Sequence, residues 1–268
     1  MTNPLPSAQT APLRVAGHFG ELMQGRLGSD GPVVLISLPC PALWVEIGST
    51  GDDTLLGPRR VRALCAALGL AVPEALPPIR ALMPQGGGAG SSTAALVALA
   101  RWLGFSGAVE DLARACVAAE GASDPLMLPR AERLLFAPRD GRVVADLPAL
   151  PAFEVIGGFF GPGQRTRAED QAFPDITDLV GQWAALADLP AMAALTTQSA
   201  RRTLVLRGPS DDPTAHLARD LGALGWMIAH TGSARGLIFA PGTVPVGAQA
   251  ALTAAGLTGV IRFQGGGA

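Results

Sequence analysis

The chain has 268 residues, 49% of them hydrophobic and 16% charged, with a formal net charge of -2. It contains no lysine and no tyrosine, so all 20 basic residues are arginine. That absence excludes lysine Schiff-base chemistry, and with it pyridoxal-phosphate enzymes and lysine-type aldolases. It also excludes the Walker P-loop and the protein-kinase design, each of which needs a lysine on the phosphates.

The length fits one large domain or two smaller ones sharing a core. The near-neutral charge gives no electrostatic footprint for nucleic acid. No apolar run approaches the 18 or so residues of a membrane helix. Cys40, Cys65 and Cys116 are odd in number and lack zinc spacing; Cys65 and Cys116 read as small core residues in a reducing, cytoplasmic setting. Residues 1–12 are rich in Pro and Ala, without the basic start and apolar centre of a signal peptide, and are expected to form a loose tail. The arginine doublets Arg59-Arg60 and Arg201-Arg202 read as solvated helix faces.

Leu13–Ala16, Pro32–Ile36 and Leu43–Ile47 are short, partly β-branched segments bounded by Gly, Pro or Ser, and read as strands. A helix is expected from Pro58, with Val61, Leu64, Cys65 and Leu68 on one face and Gly69 closing it. Leu76–Met83 reads as a strand cut off by Pro84. The run Pro84-Gln-Gly-Gly-Gly-Ala-Gly-Ser-Ser-Thr93 then leads into a strong helix former ended by Gly104. A second helix, capped by Ser106, carries the stripe Val109, Leu112, Ala113, Cys116 and Val117 and stops near Gly121.

The segment from Ala137 to Pro151 is rich in Pro, Asp and Gly and is the expected domain junction. Beyond it, a strand is expected over Phe153–Phe160. Helices follow over Ile176–Ala187 and Met192–Arg202, separated by Pro190, and over Thr214–Leu224, with His216 on the surface. A strand-turn-strand unit over Trp226–Phe239, a helix near Gly247–Ala255 and a strand over Gly259–Phe263 complete the chain. Strands and helices alternate in both halves, so the expected class is α+β, as two layers side by side.

Four segments carry candidate chemistry. Gly86, Gly87, Gly88, Ala89 and Gly90 let backbone amides approach a ligand closely. The helix behind them offers unpaired N–H groups and a positive dipole end, a cradle for a phosphate chain. Ser91, Ser92 and Thr93 add hydroxyls that can bond phosphate or reach Mg²⁺. A flexible connector capping a helix is the ordinary alternative; the order Pro, glycines, paired serines and long apolar helix favours phosphate. His18, Glu21 and Gln24 stand on a glycine-punctuated turn that suits a small polar substrate or a plain hairpin. Thr231, Gly232, Ser233 and Arg235 lie between two apolar strands, again as a binding loop or a hairpin. Glu120 ends a helix against the unfavourable sign of its dipole, which suggests a duty such as holding Mg²⁺. Asp124 follows on a loop; it can accept a hydroxyl proton or simply form a turn with Pro125.

In this order the three glycine motifs resemble the GHMP kinase superfamily of galactokinase, homoserine kinase, mevalonate kinase and relatives. Pro84 to Ala94 fits its central motif, and His230 to Gly236 is similar to its C-terminal one. Gly20-Glu-Leu-Met-Gln-Gly25 and Glu120-Gly-Ala-Ser-Asp124 look like segments of the propanediol-utilization-type L-threonine kinases, which serve cobalamin synthesis. The resemblance implies an S5-like N-terminal domain over 13–150 and a ferredoxin-like C-terminal domain over 151–268, with the site between them. It implies ATP and Mg²⁺, and transfer of the γ-phosphate to the hydroxyl of L-threonine. Carried over, Pro84 and Gly86 to Thr93 would wrap the triphosphate. Ser92 and Glu120 would hold Mg²⁺, and Asp124 would be base or orienter. His18, Glu21, Gln24, Thr231, Gly232 and Ser233 would lie at the substrate end. A bidentate arginine would meet the substrate carboxylate, Arg235 first, then Arg165 and Arg167. Two other expectations stand beside this one: a kinase for homoserine or a similar alcohol, and an inactive relative that binds nucleotide to regulate.

The sequence departs from the pattern at Ala16-Gly17-His18, where many relatives carry Pro-Gly-Lys or Pro-Gly-Arg. In the mevalonate kinase branch a lysine beside the catalytic aspartate lowers its pKa. Here no lysine exists to do so. A loose phosphoryl-transfer transition state leaves two options, a plain Asp124 or attack with little base assistance.

Overall fold

A computed structural model describes residues 11–164, 169–229 and 231–267. The strands are β1 (Leu13–Arg26), β2 (Val33–Ile47), β3 (Ile79–Ala81), β4 (Leu134–Ala137), β5 (Arg142–Asp146), β6 (Phe153–Phe159), β7 (Gly225–Ile228), β8 (Ala234–Phe239) and β9 (Thr258–Gly265). The helices are α1 (Pro58–Leu68), α2 (Ser91–Trp102), α3 (Val109–Glu120), α4 (Thr177–Trp183), α5 (Leu189–Arg207), α6 (Thr214–Asp220) and α7 (Ala248–Ala254). β4 and β5 are additional to the expected elements; the other elements follow the expected order, and the class is α+β.

All the strands join one sheet in the order β5-β4-β2-β1-β7-β8-β6-β9, with β3 on the end of β2. Every pairing between these strands is antiparallel. The two expected layers are therefore one continuous sheet. Its halves meet where Glu21 of β1 pairs with Ile228 of β7. The segment expected as a junction contains β5 and the turn into it, and β5 pairs with β4.

The long hairpin of β1 and β2 absorbs three expected short strands. Its register shifts at Ala16/Gly17, His18/Glu21 and Glu21/Met23, so the glycines mark bulges inside a strand rather than its end. Phe19 to Met23 are fully covered, because α2 and α5 both pack on β1. Helix α2 is almost wholly apolar after Ser92 and is buried from Thr93 to Ala100, which makes it the central rod of the core. Its face meets β1 and β2, while α1 packs on α3.

The helix ends follow the capping chemistry, with two shifts. Pro58 opens α1, and Gly69 and Gly121 close α1 and α3 in the left-handed conformation. Helix α3 starts later than its expected cap Ser106, with Ala108 at the cap position. Pro190 does not separate two helices. It occupies the first turn of α5, where a missing N–H costs nothing, and Asp188 Oδ1 caps that turn by accepting from the Ala191 amide at 2.9 Å.

Candidate active site

The glycine run is a loop stitched into the sheet. Gly88 O accepts from Gly20 N, and Ala89 O accepts from His18 N, each at 3.1 Å. Gly87 O accepts from the amides of Ser233 and Ala234, at 3.1 and 2.9 Å. Gly86, Gly88 and Gly90 all have φ between +70° and +75°. A side chain is excluded at two of them on separate grounds of space. A Cβ on Gly88 would lie 2.3 Å from the Ala229 Cβ, and one on Gly90 would lie 2.8 Å from the His18 ring. Gly90 is the cap residue of α2 and brings no side-chain cap to its amides. The first turn of α2 thus opens its N–H groups and the hydroxyls of Ser91, Ser92 and Thr93 toward a cleft of about 790 Å³.

The same cleft gathers most of the expected site residues. Gly86, Gly88, Ala89 and Gly90 line it, as do His18, Glu21, Gln24, Glu120, Asp124 and Thr231. Gly87 faces away from the cleft, and Gly232 and Ser233 stand behind the loop. Ser233 is buried, and a Cβ on Gly232 would come within 2.5 Å of Gly88 N, so the C-terminal glycine motif acts as a backstop to the phosphate-type loop. Pro84 is outside the lining and accepts the Gly87 amide through its carbonyl.

Ser92 and Glu120 converge as expected: the Ser92 hydroxyl donates to Glu120 Oε1. A third group, unforeseen in sequence, joins them. Arg60 Nη1 donates to Glu120 Oε1 at 2.7 Å and also to Ser92 Oγ. Of the doublet Arg59-Arg60, Arg60 is therefore drawn into the cleft, while Arg59, at its edge, is exposed as expected. Burial pushes the Glu120 carboxyl above its ordinary pKa, against the pull of Ser92 and Arg60. A buried carboxylate beside a hydroxyl is an oxygen donor set that fits Mg²⁺, and Arg60 supplies the positive charge at that point in this structure.

Across the cleft, Asp124 is held at both oxygens. Thr93 Oγ1 donates to Asp124 Oδ2 at 3.2 Å, and His18 Nε2 lies 3.5 Å from Oδ1. Burial would raise the Asp124 pKa, but the neighbouring His18 and the Thr93 hydroxyl together bring it below the ordinary carboxylate value. Gln24 Oε1 is buried without a hydrogen-bond partner among the described residues and belongs to a side chain that lines the cleft.

Arg235 is not brought to the cleft. It sits on β8 in a buried ion pair, its Nε 2.6 Å from Asp212 Oδ2, and Nη1 donates to the carbonyls of Gly232 and Ala234. With Nε and Nη1 committed to these partners and the side chain 6% exposed, it is not presented to a substrate carboxylate. Arg165 and Arg167 lie outside the described residues. Besides Arg59 and Arg60, Arg139 faces the cleft, on the turn after β4, 5.4 Å from the Phe173 ring centroid. Among the described residues Arg139 has no acidic partner; its Nη2 donates to the Asp170 carbonyl.

The sequence matches no family model, and no curated protein is significantly similar to it. Solved structures do match over nearly the whole chain. A mevalonate kinase from Methanococcus jannaschii aligns with 97% of this chain and 99% of its own, at 11% identity and a TM-score of 0.60. The L. major mevalonate kinase solved with R-mevalonate aligns with 99% of this chain and 98% of its own, at 13% identity and 0.61. A homoserine kinase from Cytophaga hutchinsonii aligns with 98% of this chain and 97% of its own, at 19% identity and 0.53. The chain has the GHMP kinase fold. Within that fold, the loop that buttresses α2 is the stretch from Pro84 to Ala94 through which the sequence resembles the superfamily.

Proposed function

We propose that this chain is an ATP-dependent small-molecule kinase that phosphorylates the side-chain hydroxyl of L-threonine, giving O-phospho-L-threonine. One observation carries the phosphotransfer reading: the open N-terminus of α2 and the carboxylates of Glu120 and Asp124 face a single cleft. That places an anion cradle beside an oxygen donor set and a hydroxyl acceptor, the parts that phosphoryl transfer to an alcohol requires. The threonine assignment, and with it the aminopropanol arm of cobalamin synthesis, rests mostly on the likeness of residues 20–25 and 120–127.

In this reading the amides of Gly86 and of residues 88–93 hold the triphosphate, and Arg60 neutralises charge on it. Leu55, Pro58 and Val117 offer an apolar wall to the base. Ser92 and Glu120 would hold Mg²⁺, which when bound would shield charge on the phosphate. Asp124 accepts a hydrogen bond from the threonine hydroxyl and aligns it for attack. Gln24 Oε1 and Glu21 accept from the substrate ammonium, and Arg139 meets its carboxylate.

The test is a panel: ATP and Mg²⁺ with L-threonine, L-serine, L-homoserine and 1-amino-2-propanol. Product formation with threonine well above the others supports the assignment. Preference for homoserine, whose kinases share this fold, would replace it. ATP binding without turnover on any alcohol would favour a regulatory protein.

A further inference from the structure

We propose that His18 is a buried imidazolium that keeps Asp124 ionised and aimed at the acceptor hydroxyl, doing from the first glycine turn what a lysine-free chain cannot do with an ammonium. The inference rests on the reading above that Asp124 meets the hydroxyl, and it assigns the charge that tunes Asp124.

The geometry favours the doubly protonated ring beside an ionised Asp124. Both ring nitrogens of His18 face acceptors. Nε2 is 3.5 Å from Asp124 Oδ1, and Nδ1 is 3.1 Å from the Gly20 carbonyl with Glu21 Oε1 at 3.9 Å. A neutral imidazole carries one N–H, so one nitrogen would point a lone pair at an oxygen lone pair. The imidazolium satisfies both contacts. The side chain is 2% exposed, so water cannot repair a mismatch. The same arrangement removes His18 as the base, because neither nitrogen is free to accept a substrate proton. It is a positioning residue that acts through Asp124.

The surrounding charges agree. From β1 the ring is faced by Glu21, and from the loop after α3 by Asp124. Helix α2 contributes only the Thr93 hydroxyl, which holds the far oxygen of Asp124. Glu120 repels Asp124 from the end of α3 but is itself paired with Arg60 of α1. Burial alone would depress the imidazole; Asp124, then Glu21 and the Gly20 carbonyl, outweigh it and raise the pKa to about 9. The fold has also made room for the ring. Gly90 admits no Cβ beside it, and the register shift between His18 and Glu21 turns this stretch of β1 toward the cleft.

The experiment is ¹⁵N NMR of the histidine ring nitrogens in the full chain between pH 6 and 10, with His18 assigned by its loss in His18→Gln. Expected is a doubly protonated His18 through pH 8, whose deprotonation midpoint in Asp124→Asn falls by about 1 to 2 in pH. In the kinase assay, His18→Gln should lower kcat by about 10- to 100-fold. It should leave the KM for ATP nearly unchanged and move the acidic limb of kcat/KM upward in pH. A bare ring nitrogen at pH 7, or a midpoint indifferent to Asp124→Asn, overturns the proposal. So does a ring that gives up its proton on addition of Mg²⁺ or Zn²⁺, since His18, Glu21 and Asp124 lie close enough to hold an ion. An unmoved acidic limb in a folded His18→Gln protein overturns the positioning role. If the wild type turns over no alcohol, the kinase reading fails on its own, while the ring titration, which needs no substrate, still decides the ion pair.

Discussion

Arg60 shows how a cleft of this kind can borrow a cation. Its guanidinium touches both the hydroxyl and the carboxylate expected to hold the metal, and it comes from a different helix than either. Replacing it removes a charge-assisted hydrogen bond, worth about 1.5–3 kcal/mol, and leaves Glu120 buried with less support. Arg60→Ala should therefore raise the KM for ATP by about 10- to 100-fold. The Mg²⁺ concentration giving half-maximal rate should fall, because Ser92 and Glu120 lose the cation that competes with the metal for them. Steady-state kinetics over a Mg²⁺ series read both effects. A second prediction concerns pH. His18 titrates at about 9 in the fold against an ordinary 6.5. Its contribution to stability is then fully present below about 6.5 and is lost as pH rises through 9. The depressed Asp124 works in the opposite window, stabilising above its ordinary value and losing that as pH falls through its folded value. The stability advantage of wild type over His18→Gln, from urea unfolding, should shrink steadily between pH 6 and pH 10. A constant advantage would mean that the ring is neutral in the fold. Of these residues, Glu120 was legible in sequence because a carboxylate at a helix C-terminus stands out, and Asp124 only through its company on the loop that follows. Arg60 was not, since an arginine in the first turn of an amphipathic helix looks like every solvated arginine. Arg235 misled for the converse reason: its partner Asp212 lies on a separate loop, and no local pattern announces the pair.

The elements that carry the site were legible where the chemistry is local. Pro58, Gly69 and Gly121 set helix ends that sequence alone placed correctly, and the apolar run after Ser92 could only be a buried helix. The strands were misjudged where glycine was read as punctuation. Gly17 and Gly20 sit inside β1 as bulges, because the strand must bend to bring His18 and Glu21 under the loop. Glycine serves space as well as conformation in the loop itself, and Gly90 tests that claim. It has φ +74°, and a Cβ would press on the His18 ring at 2.8 Å. Gly90→Ala should cost about 1–3 kcal/mol from the backbone alone. The measured loss of unfolding free energy should be at least that large, because the ring must also shift. Since that shift pulls His18 away from Asp124, kcat should fall along with stability. Gly104→Ala, at φ +90° with open space around it, should lose stability with little change in kcat. Equal kcat losses in the two variants would mean that the loop tolerates a methyl group beside His18.

At the scale of the molecule, the sheet and the core disagree about how the chain divides. The sheet narrows to one residue pair between β1 and β7, which would suit two independent halves. The core does not narrow. Phe19 of β1 packs edge-on against Phe159 of β6 and Phe263 of β9, and one continuous cluster takes in Leu96, Val155, Trp183 and Met227. The backbone of the 86–90 loop is bonded to β1 on one side and to the β7–β8 turn on the other. Separating the halves would expose that shared apolar surface and strip the loop of its backstop, and burial of such surface is the dominant favourable term in folding. The chain should accordingly unfold in one calorimetric transition, with a van't Hoff enthalpy equal to the calorimetric one. Ligation sharpens the test, because the cleft draws on elements of both halves. MgATP at a hundred times its dissociation constant adds about 2.7 kcal/mol to whatever unit it binds. In a one-unit protein the whole endotherm moves upward together. In a two-unit protein only the half holding the loop would move, and the trace would split as nucleotide is added. A split trace would place the division between β1 and β7 and return the shared aromatic cluster to the status of a domain interface.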